Sequence, residues 1–167
     1  ASTDGTPLKI AADSVLAEAS GTVNLKSVAA DRADSSIRVQ HIIADTVKLE
    51  TENGSILKDT AYAAGENAFS GVRAHDITLL ANGANSDIGS KNAADSSDVS
   101  GWLYLDPVAK GEESGITSIH AGRSIYVQSE KAIGGGDGFK ADHGDLSVKS
   151  STDIKADSMS AAEGAIN

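Results

Sequence analysis

Apolar residues recur at every second position in short runs, and that period of two limits what the chain can become. The stretch from Val72 to Gly89, VRAHDITLLANGANSDIG, shows it most fully. It holds Val72 and Ala74, a corner at His75-Asp76, alternation at Ile77, Leu79 and Ala81, an Asn82-Gly83 turn, and Ile88-Gly89. Period two puts Ile77 and Leu79 on one face of a strand, whereas a helix needs spacings of three and four. A strand of five or six residues cannot bury its own apolar face, so it requires neighbours of the same kind.

The chain supplies them. Anchored on an alanine two residues after an apolar or small residue, the copies are Ala17-x-Ala19 with Val23 and Leu25, and Ile42-x-Ala44 with Val47 and Leu49. Val72-x-Ala74 with Ile77 and Leu79 follows. The last two are Ile119-x-Ala121 with Ile125 and Val127, and Phe139-x-Ala141 with Leu146 and Val148. These ten strand residues form the expected inward core ladder. Most anchors lie about 20 to 30 residues apart, the range of solenoid repeats. The gap from Ala74 to Ala121 is longer and holds a further strand, Trp102-Leu103-Tyr104-Leu105, so two turns are expected there. Thr60–Ala68 has the best helical composition but contains Gly65, and is expected to be a protruding loop.

Composition agrees with a slim, repetitive core. In 167 residues only 4% are aromatic and there are 17 glycines, so Ile, Val, Leu and Ala must fill the interior. The fold expected is all-β: a right-handed parallel β-helix of about 20–30 residues per coil with a few protruding loops. Its handedness follows from the preference of parallel crossovers. The chain opens on polar residues 1–6 and closes on Gly164-Ala165-Ile166, so residues 1–167 are expected to be one segment of a longer repetitive protein. The formal charge of −10 disfavours a phosphate backbone as partner, so no nucleic acid is expected. The absence of cysteine excludes disulfides and thiolate metal sites.

Three phrases carry a resemblance. The strands of the type G-x-[IV]-x-[LV]-x-[ST], Asp87-Ile88-Gly89-Ser90, and Pro7-Leu8-Lys9-Ile10 together resemble the repeat region of filamentous-haemagglutinin-like adhesins, most of all the leukotoxin-type filamentous adhesins. In that family the DIG-type phrase is followed by Pro-Leu and a strand; here Lys91-Asn92 follow instead, and only the first block carries Pro7-Leu8. The resemblance implies a secreted stalk at the bacterial cell surface, exported through a dedicated outer-membrane secretion partner. It transfers no binding residue, because the repeat motif is a folding motif.

Candidate chemistry is sparse. His41, His75, His120 and His143 sit at different offsets from their alanines, so they cannot stack into one metal column. Asp45 and Asp142 both follow an anchor alanine directly and could flank a calcium ion, but the copies between them carry His75 and Gly122. The Gly134–Phe139 run is expected to be a loop. No nucleophile elbow, phosphate loop or zinc phrase occurs, and Arg32, Arg38, Arg73 and Arg123 are scattered. No catalytic residue, metal or cofactor is therefore expected, and a glycan-active enzyme is the weaker rival. If Leu103 and Leu105 face inward, Trp102 and Tyr104 face outward, and Tyr126 likewise. These three aromatics are the candidate binding residues, for a glycan or a host-cell receptor, unless the loop 106–114 folds over them as a cover. End-to-end self-association is a third possibility, since strand edges at the ends would be open.

Overall fold

The computed structural model describes residues 5–12, 14–28, 35–61, 69–92, 94–95, 97–111 and 115–167. Among them there are strands and no helix. In chain order these are β1 (Leu8–Ile10), β2 (Ser14–Glu18), β3 (Thr22–Ser27), β4 (Ile37–Ile43), β5 (Thr46–Thr51), β6 (Ile56–Lys58), β7 (Gly71–Ala74) and β8 (Asp76–Ala81). They continue as β9 (Leu103–Pro107), β10 (Ile116–Ala121), β11 (Ile125–Ser129), β12 (Ile133–Ala141), β13 (Leu146–Ser150), β14 (Ile154–Lys155) and β15 (Met159–Ala161). Residues 62–68, most of the expected Thr60–Ala68 loop, lie outside the described residues.

The strands form two parallel sheets. One has the order β1-β3-β5-β8-β10-β12-β14, with β15 also on β12; the other runs β2-β4-β7-β9-β11-β13, with β6 also on β4. The chain thus alternates between sheets and returns to each in sequence order. In the larger sheet Leu8, Leu25, Leu49, Leu79, Ile119, Phe139 and Met159 occupy successive rungs. Beside them Val23, Val47, Ile77 and Thr117 form a second column. In the smaller sheet Ala17, Ile42, Val72 and Leu105 are aligned, as are Leu103, Val127 and Val148. Side chains from both sheets meet in one core.

All ten residues of the expected ladder are buried. They do not form one ladder, however. Ile125, Val127, Leu146 and Val148 belong to the smaller sheet, while the other six belong to the larger. Correspondingly, Ala121 and Ala141 stack on Ala81 and not on Ala74. The cause is that strands of both sheets show the same alternation after a small residue, so the pattern cannot tell them apart. The long gap is also resolved: Leu79 and Ile119, about 40 residues apart, are direct neighbours. Their interval is one pass and not two, and Leu103–Pro107 is its strand in the smaller sheet.

What holds the register is a corner column before the strands of the smaller sheet. Ser36, Ser55, Asp87, Ser124, Asp145 and Ala165 stand one above another, each followed by an Ile or Leu that is fully buried in all but the last. The Ser36 hydroxyl accepts from the Ser55 N–H at 2.8 Å, and the Ser55 hydroxyl from the Asp87 N–H at 2.9 Å. The Asp87 carboxylate accepts from the Ser124 N–H at 3.0 Å and the Ser124 hydroxyl from the Asp145 N–H at 3.2 Å. Asp145 in turn accepts from the Ala165 N–H at 3.2 Å. In the reverse direction Ile37, Ile56, Ile88, Ile125 and Leu146 donate to the carbonyls of the next corner residue at 2.8–2.9 Å. The residue after the inward Ile88 is Gly89, at φ +72°, and a Cβ there would strike the Tyr126 carbonyl. The Asp87-Ile88-Gly89 phrase is therefore a corner acceptor, a core rung and a close-approach glycine.

Two single changes test this packing in opposite directions. Ser124→Ala strips the Asp145 N–H of its acceptor at a corner that is 7% exposed, and should cost about 1–2 kcal/mol. Thr117 is fully buried with its hydroxyl unpartnered, in the column where the preceding rungs carry Val23, Val47 and Ile77. Thr117→Val removes an unsatisfied polar group at nearly constant volume and should stabilise by about 1 kcal/mol. Denaturant midpoints check both, and a loss for Thr117→Val would show that its hydroxyl has a partner.

Candidate functional site

The strand β9 sets the aromatic candidates by alternation. Leu103 and Leu105 are fully buried and point inward, which turns Trp102 and Tyr104 outward, where both are half-buried. Tyr126 on β11 is buried at 7% exposure. The three do not form one platform. Trp102 packs on Tyr126, with ring centroids 5.9 Å apart and planes inclined by 51°. Tyr104 instead meets Phe69 edge-on at 5.5 Å; Phe69 also meets His41 at 6.0 Å and lies under the Arg73 guanidinium at 4.5 Å. Burial pushes the Tyr104 and Tyr126 phenols above their ordinary range, so both are neutral at physiological pH.

A segment does lie alongside Trp102 and Tyr126, but it is the excursion after Ser90 rather than 106–114. Gln128 donates to the Val99 carbonyl at 3.1 Å, and Lys58 donates to the Ser100 carbonyl at 3.0 Å. The Lys91 ammonium reaches Asp145 at 3.5 Å, and the Tyr126 hydroxyl donates to the same carboxylate at 3.2 Å. The segment after β9 goes elsewhere: the Val108 carbonyl is bonded to His75 Nδ1 at 2.8 Å and Lys110 pairs with Asp45 at 2.9 Å. Residues 112–114 of that expected cover lie outside the described residues. The reason is geometric, since a chain leaving β9 beside β7 must turn toward the corner that β7 itself enters.

The ionisable candidates are likewise dispersed. His41 faces Glu18 at 2.8 Å, His120 faces Asp142 at 2.8 Å, and His143 faces Glu163 at 3.5 Å, each in its own pair. Asp45 and Asp142, expected as calcium flanks, stand in separate pairs with Lys110 and with His120 and Lys140. Among the described residues no group of three or more His, Asp or Glu side chains converges as a metal would require.

One concavity was not anticipated. On the outer face of the larger sheet the residues between the inward columns are Lys48, Thr78, Ser118 and Gly138, on adjacent rungs. Beside them runs a row of longer side chains, Leu80, His120 and Lys140. The register of β12 slips between Gly135 and Gly138, so Gly136-Asp137 bulges outward. The bulge is pinned on both sides: the Asp137 N–H donates to the Ser118 hydroxyl at 3.0 Å, and the Ser158 hydroxyl donates to the Asp137 carbonyl at 3.0 Å. Gly138, at φ +95°, must be glycine, because a Cβ would strike the Ser158 carbonyl. The glycine-rich run expected as a loop is thus a bulged strand. Small floor, tall row and bulge enclose a groove of about 440 Å³. Its sequence signal was an outward column of small hydroxyl residues, legible only once the register is known.

No family model, no curated protein and no solved structure matches the chain.

Three aspartates hold the surface together in a pH-dependent way. Burial pushes Asp106 up, but bonds from Lys131 and Arg73 outweigh it and hold the carboxyl below its ordinary value. Lys140, then His120, lower Asp142, and the Ala165 N–H lowers Asp145. For groups depressed in the folded state the stabilisation is complete above the unfolded value of about 3.9 and is lost as pH falls below it. The contribution of these carboxylates to the thermal midpoint should therefore be lost below about pH 4. Lys131→Met, which removes one partner of Asp106, should make that loss smaller.

Proposed function

We propose that the chain is a right-handed parallel β-helix, a β-solenoid segment with coils of about 20 residues lengthened in places by excursions, and that it serves as a non-catalytic stalk. The observation that carries this reading is the corner column, which continues from Ser36 to Ala165 while the chain between its members varies from about 20 to about 40 residues. A frame of that kind converts sequence length into axial length, about 4.8 Å per coil. The adhesin phrases support the further reading that the stalk belongs to a secreted bacterial surface protein, passed through an outer-membrane secretion partner, whose role is to extend and display. A second reading, end-to-end self-association, is favoured by exposed Leu8 and Leu16 on the first strands and exposed Ile154 and Ile166 on the last.

A deletion tests the first reading. Removing residues 126–146, so that Ile125 takes the place of Leu146 and runs on into Ser147, takes out one whole coil in register and should leave a folded protein shorter by about 5 Å with an unchanged cross-section by small-angle scattering. A changed cross-section would overturn the solenoid. Antibodies to the chain should label intact cells of the source organism, and labelling only after permeabilisation would overturn surface display. A sedimentation coefficient that rises with concentration, and that Ile166→Lys returns to the monomer value, would support the second reading.

A further inference from the structure

We infer that the groove on the outer face of the larger sheet is a binding site for a short acidic oligosaccharide. Its shape excludes a simple ion: it crosses the rungs of Lys48, Thr78, Ser118, Gly138 and Ser158, roughly 19 Å at the spacing of adjacent strands. Its volume of about 440 Å³ falls in the range of small-ligand sites. The floor offers hydroxyls that match those of a sugar: Thr78 on the middle rung, the O–H of Ser118, whose oxygen already accepts from Asp137, and the oxygen of Ser158, whose O–H is given to the Asp137 carbonyl. Leu80 is the apolar side chain on the outward row and can meet the C–H face of a single ring. That is too little apolar surface for a lipid or a hydrophobic peptide.

The charge decides the class of sugar. On a chain with a formal charge of −10, the groove gathers Lys48, His120 and Lys140 against the single lining carboxylate of Asp137. Lys140 and His120 are held by Asp142, at 2.8 Å each. Lys48 has no ion-pair partner among the described residues and is half-buried at one end of the groove. An ammonium so placed is an anchor for a carboxylate. Lys48 and Lys140 stand three rungs apart, so the favoured ligand carries spaced charges. A densely charged polyphosphate would meet the Asp137 carboxylate and the net charge of the protein. Extended peptides are disfavoured for another reason: the strands under the groove are paired on both sides, so no edge is free to add a strand. The inference is independent of where the chain is displayed.

Isothermal titration of the purified chain with tetragalacturonate, its fully methyl-esterified form and sodium sulfate tests the assignment. The acid tetramer should bind, and the ester should bind at least about tenfold more weakly, as expected for loss of a charge-assisted contact. Lys48→Ala should weaken the acid tetramer by about tenfold, and Thr78→Tyr, which fills the floor, should abolish binding; both side chains point outward, so the thermal midpoint should hold. Lys149→Ala, exposed on the other sheet, is the control and should leave affinity unchanged. Absence of binding, equal binding of acid and ester, indifference to Lys48→Ala, or competition by sulfate at equal charge would each overturn the proposal.

Discussion

From Ser36 to Ala165 the layers of this structure depend on one exchange at the corner before the smaller sheet. A serine or aspartate accepts, through its side chain, the N–H of its counterpart one layer on, while the next residue donates its own N–H to that counterpart's carbonyl. Each layer is thereby bonded twice to the next at a point where the chain is turning and could not form a regular ladder. Buried backbone groups at bends are otherwise the costly part of any stacked β structure. Asp87 adds a charge to the device by also holding Arg123 through two oxygens, and Asp145 by holding Tyr126 and Lys91.

Because the corner fixes position, the segments between corners are free to differ. From Ser124 to Asp145 and on to Ala165 the interval is about 20 residues, whereas from Asp87 to Ser124 it includes the excursion around 91–101 and another after β9. The first excursion closes on itself through the Ser90 N–H to the Gly101 carbonyl at 3.0 Å, so the strand resumes almost where it stopped. Loop closure costs grow only slowly with length, which makes such insertions cheap in stability. They also fall on the outside, where Val99, Ser100 and Lys91 meet outward side chains of neighbouring layers.

The inward faces were legible in the letters because burial on one face leaves a period of two, and Ile77, Leu79, Ile125 and Val127 all declare it. Which sheet each belongs to was not legible from that alternation. Ile77 and Ile125 sit in the same local pattern, with an alanine three or four residues before each. The discriminating signal was nevertheless present, as the pairs Ser36-Ile37, Ser55-Ile56, Asp87-Ile88, Ser124-Ile125 and Asp145-Leu146, whose acceptor side chains face the corner. Outward facing of Trp102 and Tyr104 followed from the parity of β9, but their partners did not. Phe69 and Tyr126 come from other passes, and contact between passes is set by register alone. The groove was hidden for the same reason: Thr78, Ser118 and Gly138 are far apart in sequence and adjacent only in the sheet.

That division bears on where activity can reside in a chain of this kind. Inward positions are bound to small and branched apolar residues, and Thr117 shows how little room there is for anything else, since its buried hydroxyl has no partner. Corner positions are bound to acceptors or to glycine. The outward column of the larger sheet is under neither constraint, for its backbone is already paired on both sides and its side chains meet water. A departure from regularity there needs its own cause, and β12 departs in Gly134 at φ +135°, in the Gly136-Asp137 bulge and in Gly138 at φ +95°. The bulge interrupts a ladder that an uninterrupted strand would complete, and two serines on adjacent layers hold it in place. Bulges are over-represented at sheet edges and beside binding and active sites, and this one lies on the face that carries the groove.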